Sequence, residues 1–378
     1  MASAGAAALA ALLEGCGAPN PSPTASPPVA ARHDLFLPNV SHSDAPTPEP
    51  AMTATPEPAA AAAAPEATAE PVAFPEFEQP SKLGIAVQRF RQRQIMDRII
   101  ADGRPRVVKI YEDLGSAAEI KRLSPTTIVV GHIHQQYDFQ NAITSGATDM
   151  EAYAADFVAR HLDRYQANSG VDFWEGHNEP VFEVVDKMVL YGRFEAERAR
   201  QMAAHGFKAA VGNFAAGNPP FDQWRAFYPA LQAVKQVGGA LALHEYSAPT
   251  MDFGYEPATD DGSLTLRYRR VYRNFVPPEL HVPIVITEAG IDGLVSTDRV
   301  GSGWQDYVGY WQELSLGIDA FWAYLNQLQW YDEQLQRDDG ILGAAIFVAG
   351  GDEHFASYEL VGDMGELLTQ YLMAHPTT

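Results

Sequence analysis

From Lys82 onward the chain alternates short apolar runs with stretches of helical spacing. Eight runs read as candidate strands: Leu83–Val87, Arg106–Tyr111, Thr126–Val130, Val171–Trp174, Ala209–Gly212, Gly239–Leu243, Pro283–Ile286 and Ile318–Trp322. Each is partly β-branched or aromatic and is bounded by Gly, Pro or polar residues. Between them, Glu151–Tyr165 puts Tyr153, Phe157, Leu162 and Tyr165 on one stripe, Gly192–His205 is rich in Ala, Arg and Glu, and Gln305–Leu316 carries Val308, Trp311 and Leu314 at helical intervals. Strand–helix alternation predicts parallel pairing through helical crossovers. Eight such units predict an α/β fold closed into a (β/α)₈, or TIM, barrel, with an open doubly wound sheet as the alternative. No Gly-x-Gly-x-x-Gly follows the first run, which removes the usual reason to choose the open sheet. Gly340–Leu360 is apolar and Gly-rich and reads as a long loop with extra strands, before a closing helix over residues 365–374.

Residues 1–80 have a different texture. They are dominated by Ala, Pro, Thr and Glu and hold nine acids but one base, Arg32. Such a segment buries too little apolar surface to offset chain entropy, so disorder is expected over residues 17–80 and a catalytic domain over 81–378. The net charge is -22, of which about -14 falls to the barrel segment. That field disfavours nucleic acid and anionic lipid and suits a neutral substrate. It is also what any acidic, soluble protein would show.

The single cysteine, Cys16, excludes an intrachain disulfide. It follows the apolar stretch Ala6–Leu13 and then Glu14-Gly15. A short apolar stretch ending in Leu-x-Gly-Cys resembles a bacterial lipoprotein signal with its lipobox over residues 1–16. The resemblance implies cleavage before Cys16 and lipidation of its sulfur, hence export and a lipid anchor at the cell surface; a chance Ala-rich tail is the alternative. The run is too short to span a bilayer. Pro-rich chain over residues 17–80 would then be a tether reaching at most roughly 200 Å.

In a barrel, chemistry collects at the carboxyl ends of the strands. Those ends carry Gly131-His132-Ile-His134 after the third run, His177-Asn178-Glu179-Pro180 after the fourth, His244-Glu245-Tyr246 after the sixth, Thr287-Glu288 after the seventh and Trp322-Ala-Tyr324 after the eighth. Two carboxylates at strand ends are the equipment for breaking a glycosidic bond: one protonates the leaving oxygen while the other attacks or activates water. Here they are Glu179 and Glu288. A bare Asn-Glu-Pro tripeptide is weak; coupled to a glutamate three βα units later it gains weight, against a loop or capping role for both residues.

These motifs resemble the retaining glycoside hydrolases of clan A. The resemblance implies that Glu179 is the acid/base and Glu288 the nucleophile. It implies further that Asn178 binds the sugar 2-hydroxyl, that Tyr246 donates to the nucleophile while His244 faces the substrate, and that Trp322 is an aromatic platform after the last strand. It covers about residues 82–375 in layout, with close matches only at these short motifs. Two departures stand out: His177 precedes Asn-Glu-Pro, and Glu245 adds a third acid, which strand alternation should turn away from His244 and Tyr246. The implied activity is hydrolysis of a β-linked glycan with retention, through a covalent glycosyl-enzyme. It needs no cofactor, no nucleic acid and no obligate protein partner, and its membrane contact is confined to the Cys16 anchor.

His132 and His134 are expected to line a sugar subsite. As a His-x-His pair they also support a metal-dependent barrel hydrolase, completed by His244 and Asp319. A noncatalytic glycan-binding surface protein is the third reading. Trp322 and Tyr324 are also candidates for plain core aromatics, Trp174 and Glu175 for filling the barrel interior, and Glu112 and Asp113 for solvated loop charges.

Overall fold

The computed structural model describes residues 79–111, 113–134, 139–144, 149–180, 182, 184–295, 302–316 and 319–377. The signal-like stretch, Cys16, the tether up to residue 78 and Glu112 lie outside the described residues. The strands are β1 Leu83–Val87, β2 Val107–Ile110, β3 Ile128–Gly131, β4 Phe173–Trp174, β5 Ala210–Phe214, β6 Ala240–Ser247, the short pair β7 Tyr255–Glu256 and β8 Asp261–Gly262, then β9 Ile284–Ile291 and β10 Ile341–Ala349. The helices are α1 Ala117–Leu123, α2 Phe139–Thr144, α3 Met150–Ala167, α4 Val185–Ala204, α5 Trp224–Val237, α6 Arg267–Asn274, α7 Val308–Glu313, α8 Ala320–Gln336 and α9 Asp363–Ala374. A π-helical turn, Ile95–Ile100, follows β1.

Eight strands pair in the order β4-β3-β2-β1-β10-β9-β6-β5, and every pairing is parallel. A parallel bridge between Trp174 and Ala209 joins the two ends, so the sheet closes as a TIM barrel. That seam is thin, and Arg198 on α4 stitches it. Its guanidinium donates to Trp174 O at 3.2 Å and to Ala210 O at 2.7 Å while pairing with Glu195. β7 and β8 form an antiparallel pair in the excursion between β6 and α6.

Alternation along the strands sorts their side chains into two cores. The outward faces, including Leu83, Ile85, Val108, Ile110, Leu241, Leu243, Ile284 and Ile286, pack with the helices. The interior takes small residues, among them Ala86, Val107, Val130, Ala210, Ala240, Ala242, Val285 and Ala345. Such small groups low in the barrel leave the larger polar side chains to fill its carboxyl end.

The last strand is not where the pattern placed it. Ala320–Trp322 begin α8, whose N-cap Asp319 accepts from the amides of Phe321 and Trp322 at 2.8 and 3.1 Å. The eighth barrel strand is β10, inside the Gly-rich stretch read as a loop. Asp319 is therefore a helix cap, where the short side-chain oxygen satisfies amides that lack a helical partner. Trp322 correspondingly lies in the first turn of a helix, not after the last strand.

Candidate active site

Side chains from six strands meet at the mouth. On β2, Lys109 and the following Tyr111 share the face of Val107. Residues immediately beyond β3 and β4 add His132, Glu175 and Glu179, β6 adds His244 and Tyr246, β9 adds Glu288, and β10 adds Phe347. All are buried.

Glu288 depends on an irregularity. Ile284 and Ile286 face the helices and Val285 the interior, so plain alternation would turn residue 288 outward. The register between β6 and β9 shifts after Leu243–Ile286, so that His244 pairs with Glu288. Thr287 is the extra residue, and the shift turns Glu288 inward while Ala289 and Ile291 return to the outer core.

Glu288 is held by three donors. Lys109 Nζ donates to Oε1 at 2.7 Å, Tyr111 OH to the same oxygen at 2.6 Å, and Tyr246 OH to Oε2 at 2.6 Å. Burial alone would raise this carboxyl, but His244, Lys109 and Tyr111 outweigh it and bring it down to about 2. Glu288 is thus ionised at any ordinary pH. Lys109 also pairs with Glu175 Oε2 at 2.9 Å, and His132 Nδ1 stands 3.1 Å from that same oxygen. Burial would lower Lys109, yet Glu175 and Glu288 raise it, so a buried ammonium sits between two carboxylates. Burial likewise opposes ionisation of Glu175, but Lys109 and His132 hold it well below the usual carboxylate range. His132 is pushed down by burial, against the pull of Glu175.

Glu179 is in a different environment. Its backbone is left-handed, with φ at +43°, a conformation that non-glycine residues rarely adopt and that costs of order 1–3 kcal/mol. Its amide donates to Asn213 O at 3.0 Å, and the Asn213 side chain donates to His177 O at 3.3 Å. These bonds tie the Asn-Glu-Pro turn to the end of β5. Glu179 Oε1 pairs with His244 Nδ1 at 2.8 Å. Burial raises this carboxyl; the His244 contact opposes the rise and the Glu288 charge adds to it, leaving it raised. Two neighbouring carboxyls are therefore pushed in opposite directions, the condition under which one is an acid and the other a base.

The two meet closely. One ligand atom each from Glu179, His244 and Glu288 all lie within 4.8 Å of one another. His244 Nδ1 is also 3.4 Å from Glu288 Oε2, so it stands between the carboxyls. Glu179 Oε2, His244 Nε2 and Asn178 Oδ1 are buried without a hydrogen-bond partner among the described residues. Buried polar atoms are normally paired, so an unpaired group of this kind at a barrel mouth is what a polar ligand would satisfy.

Other expected residues fall elsewhere. Asn178 is half-buried beside Glu179. His132 joins the ion-pair chain, but His134 is exposed, so the two do not form a His-x-His pair facing one cavity. With Asp319 committed to capping, the proposed metal set of His132, His134, His244 and Asp319 is not assembled. Among the described residues, the His, Asp and Glu side chains that do approach one another as a possible metal group are Glu179, His244 and Glu288. Trp322 does not occupy the strand-eight position. The inward aromatic there is Phe347, edge-on to Tyr111 at 6.4 Å and to Tyr246 at 6.1 Å.

Glu245 points outward, where it accepts from the amides of Leu266 and Arg267 and from Tyr331 OH. It caps α6 and takes no part at the mouth. His177 turns into an aromatic cluster with Tyr153, Phe139, Phe157 and Phe194. Burial brings it down to about 3, so it is a neutral support of the Asn-Glu-Pro turn. Trp174 faces the outer core, not the interior.

Lys109, Tyr111, Glu175 and Phe347 were not singled out as site residues from the sequence. The signal for the first two was present: in Val107-Val-Lys109-Ile-Tyr111, a lysine shares the face that a barrel strand turns inward.

No family profile matches the chain, and no curated protein matches it. Solved structures similar to it include an endo-β-1,4-mannanase from Thermotoga petrophila, 13% identical, covering 78% of this chain and 77% of that one, with a TM-score of 0.44. A broad-specificity endoglucanase from Clostridum cellulovorans is 11% identical over 80% of this chain and 100% of that one, with a TM-score of 0.43. A sugar phosphate isomerase/epimerase from Parabacteroides distasonis is 13% identical over 79% of this chain and 96% of that one, with a TM-score of 0.33. Likenesses this distant carry no argument about activity, which has to be made from the site itself.

Proposed function

We propose that this chain is a glycosidase that hydrolyses a β-linked glycan with retention of configuration. Glu288 attacks the anomeric carbon as Glu179 gives its proton to the departing oxygen. Glu179 then deprotonates the water that releases the sugar from Glu288. The observation that carries this reading is the pair of carboxyls with oxygens within 4.8 Å, one raised and one lowered in pKa. Retaining pairs stand roughly 5–5.5 Å apart, whereas inverting pairs leave roughly 6.5–9.5 Å for a water.

In this reading Tyr246, Tyr111 and Lys109 keep Glu288 ionised, and His244 bridges the two carboxyls. Asn178 and His244 offer their unpaired atoms to sugar hydroxyls, and Phe347 supplies the apolar wall. His132 orients Glu175. His134, exposed beyond β3, is kept as a contact for a more distant sugar unit. Trp322 has no role at the central sugar. The Leu-x-Gly-Cys stretch supports export and lipidation at Cys16, with residues 17–80 as a tether.

The test is intact-mass analysis after incubation with a panel of 2-deoxy-2-fluoro-β-glycosides bearing a 2,4-dinitrophenolate leaving group. A single adduct on Glu288, absent in Glu288→Ala, is expected. Full hydrolytic activity in Glu288→Ala, or a product of inverted configuration by NMR, would overturn the two-step scheme. Activity abolished by EDTA would instead favour metal-dependent hydrolysis.

A further inference from the structure

A third carboxyl stands on the same face as the nucleophile. Asp292 follows β9 directly, four residues beyond Glu288. Ala289 and Ile291 lie in the outer core, so alternation turns Glu288, Gly290 and Asp292 to the interior side. Asp292 is 2% exposed. Its Oδ1 accepts from the Leu294 amide and from Tyr358 OH, both at 2.9 Å, while Oδ2 takes no hydrogen bond among the described residues. Tyr358 packs edge-on against Phe347 at 5.6 Å, and Phe347 in turn touches both phenols that bond Glu288. Asp292 is thus anchored one aromatic wall away from the nucleophile, with one oxygen uncommitted.

A buried carboxyl fixed through a single oxygen is not accounted for by local structure alone. Capping the turn at Leu294 needs one acceptor, which a serine or asparagine would supply. Burial raises Asp292 to about 7, against the pull of the Leu294 amide and Tyr358, with the charges of Glu179 and Glu288 adding to the rise. The group therefore feels both members of the pair, yet bonds neither. Its position has a direction. In the closed strand order, β10 lies diametrically opposite β4. The leaving group must sit on the Glu179 side, because it takes its proton there. The wall of Phe347 and Tyr358 is opposite, where the retained sugar would lie.

We propose that Asp292 is a specificity-determining residue that accepts a hydrogen bond from a hydroxyl of the sugar on the glycone side of Glu288. This inference rests on the glycosidase reading. It predicts that the loss on removing Asp292 belongs to the sugar and not to the leaving group.

The experiment measures second-order labelling constants by intact mass, using the fluoroglycoside that labels the wild type best. The matching fluoroglycosyl fluoride and the 3-, 4- and 6-deoxy derivatives complete the set. At pH 8, above the raised value of Asp292, Asp292→Ala should slow labelling roughly 10–100-fold, the worth of a hydrogen bond to a charged group, and by the same factor for both leaving groups. One deoxy derivative should be slow with the wild type yet as fast as its parent with Asp292→Ala. Asp292→Asn, which keeps the shape and an acceptor for Leu294 and Tyr358, covers the case in which the alanine variant does not fold, and should lose less. Unchanged labelling, a factor that differs between leaving groups, or additive effects at every deoxy position would overturn the inference. Absence of wild-type labelling by every glycoside would instead overturn the glycosidase reading beneath it.

Discussion

Replacing Lys109 with methionine removes the one cation between two buried carboxylates. Lys109 is fully buried, with Nζ at 2.7 Å from Glu288 and 2.9 Å from Glu175. The fall of Glu288 from an ordinary 4.5 to about 2 corresponds to about 3 kcal/mol of preference for the ionised form. Lys109 shares that effect with His244 and Tyr111, and a single opposite charge at this range lowers a carboxyl by roughly 1–3 units. Lys109→Met should therefore move the acidic limb of the labelling profile upward by roughly 1–2 pH units. It should also destabilise the fold by about 3–5 kcal/mol, because an uncompensated charge is left inside. Lys109→Met/Glu175→Gln removes one cation and one anion together, so it should recover part of that stability while keeping the shifted limb. Glu175→Gln alone leaves the ammonium on Glu288 and should shift the limb little. The assay is the fluoroglycoside labelling rate from pH 3 to pH 9, with thermal unfolding of each variant alongside. An unmoved limb in folded Lys109→Met, or an equal shift in Glu175→Gln, would refute the assignment of Lys109 as the group that keeps the nucleophile ionised.

The raised Glu179 must be protonated to act, so turnover should fall as pH rises through its folded value; in Glu179→Ala, labelling by a dinitrophenyl glycoside should persist with that alkaline limb gone, and a retained limb would assign it elsewhere. Tyr246→Phe deletes a 2.6 Å donor to Glu288 and should cost about 1.5–3 kcal/mol in labelling barrier, read from the rate constant at pH 6, where an unchanged rate would count against the bond. Arg198→Met should cost about 3–5 kcal/mol in urea unfolding, because it strands Glu195 and unties Trp174 from Ala210 at the barrel seam; a midpoint within about 1 kcal/mol of wild type would mean that the seam holds without it.

Much of this arrangement was legible in the chain. Short apolar runs spaced by helical stretches specify a parallel barrel because each strand must bury both faces and each crossover must cover one of them. Glu179, Glu288, His244 and Tyr246 could be named because barrel strands end at the mouth and those residues are where the runs stop. The eighth strand was misread for a local reason. Asp319 and the apolar residues after it look alike as a strand end and as a capped first turn, and only the length of α8 distinguishes them. Position-by-position alternation would even have turned Glu288 away, because the extra residue at Thr287 is a property of how β9 registers against β6 and β10. The ion-pair chain from His132 through Glu175 and Lys109 to Glu288 joins strands separated by up to about 180 positions and has no local signature. Which side chains stand at strand ends follows from the run of residues alone; closure of the barrel decided which of them touch, because distances across a ring depend on register and stagger, and so on every strand at once.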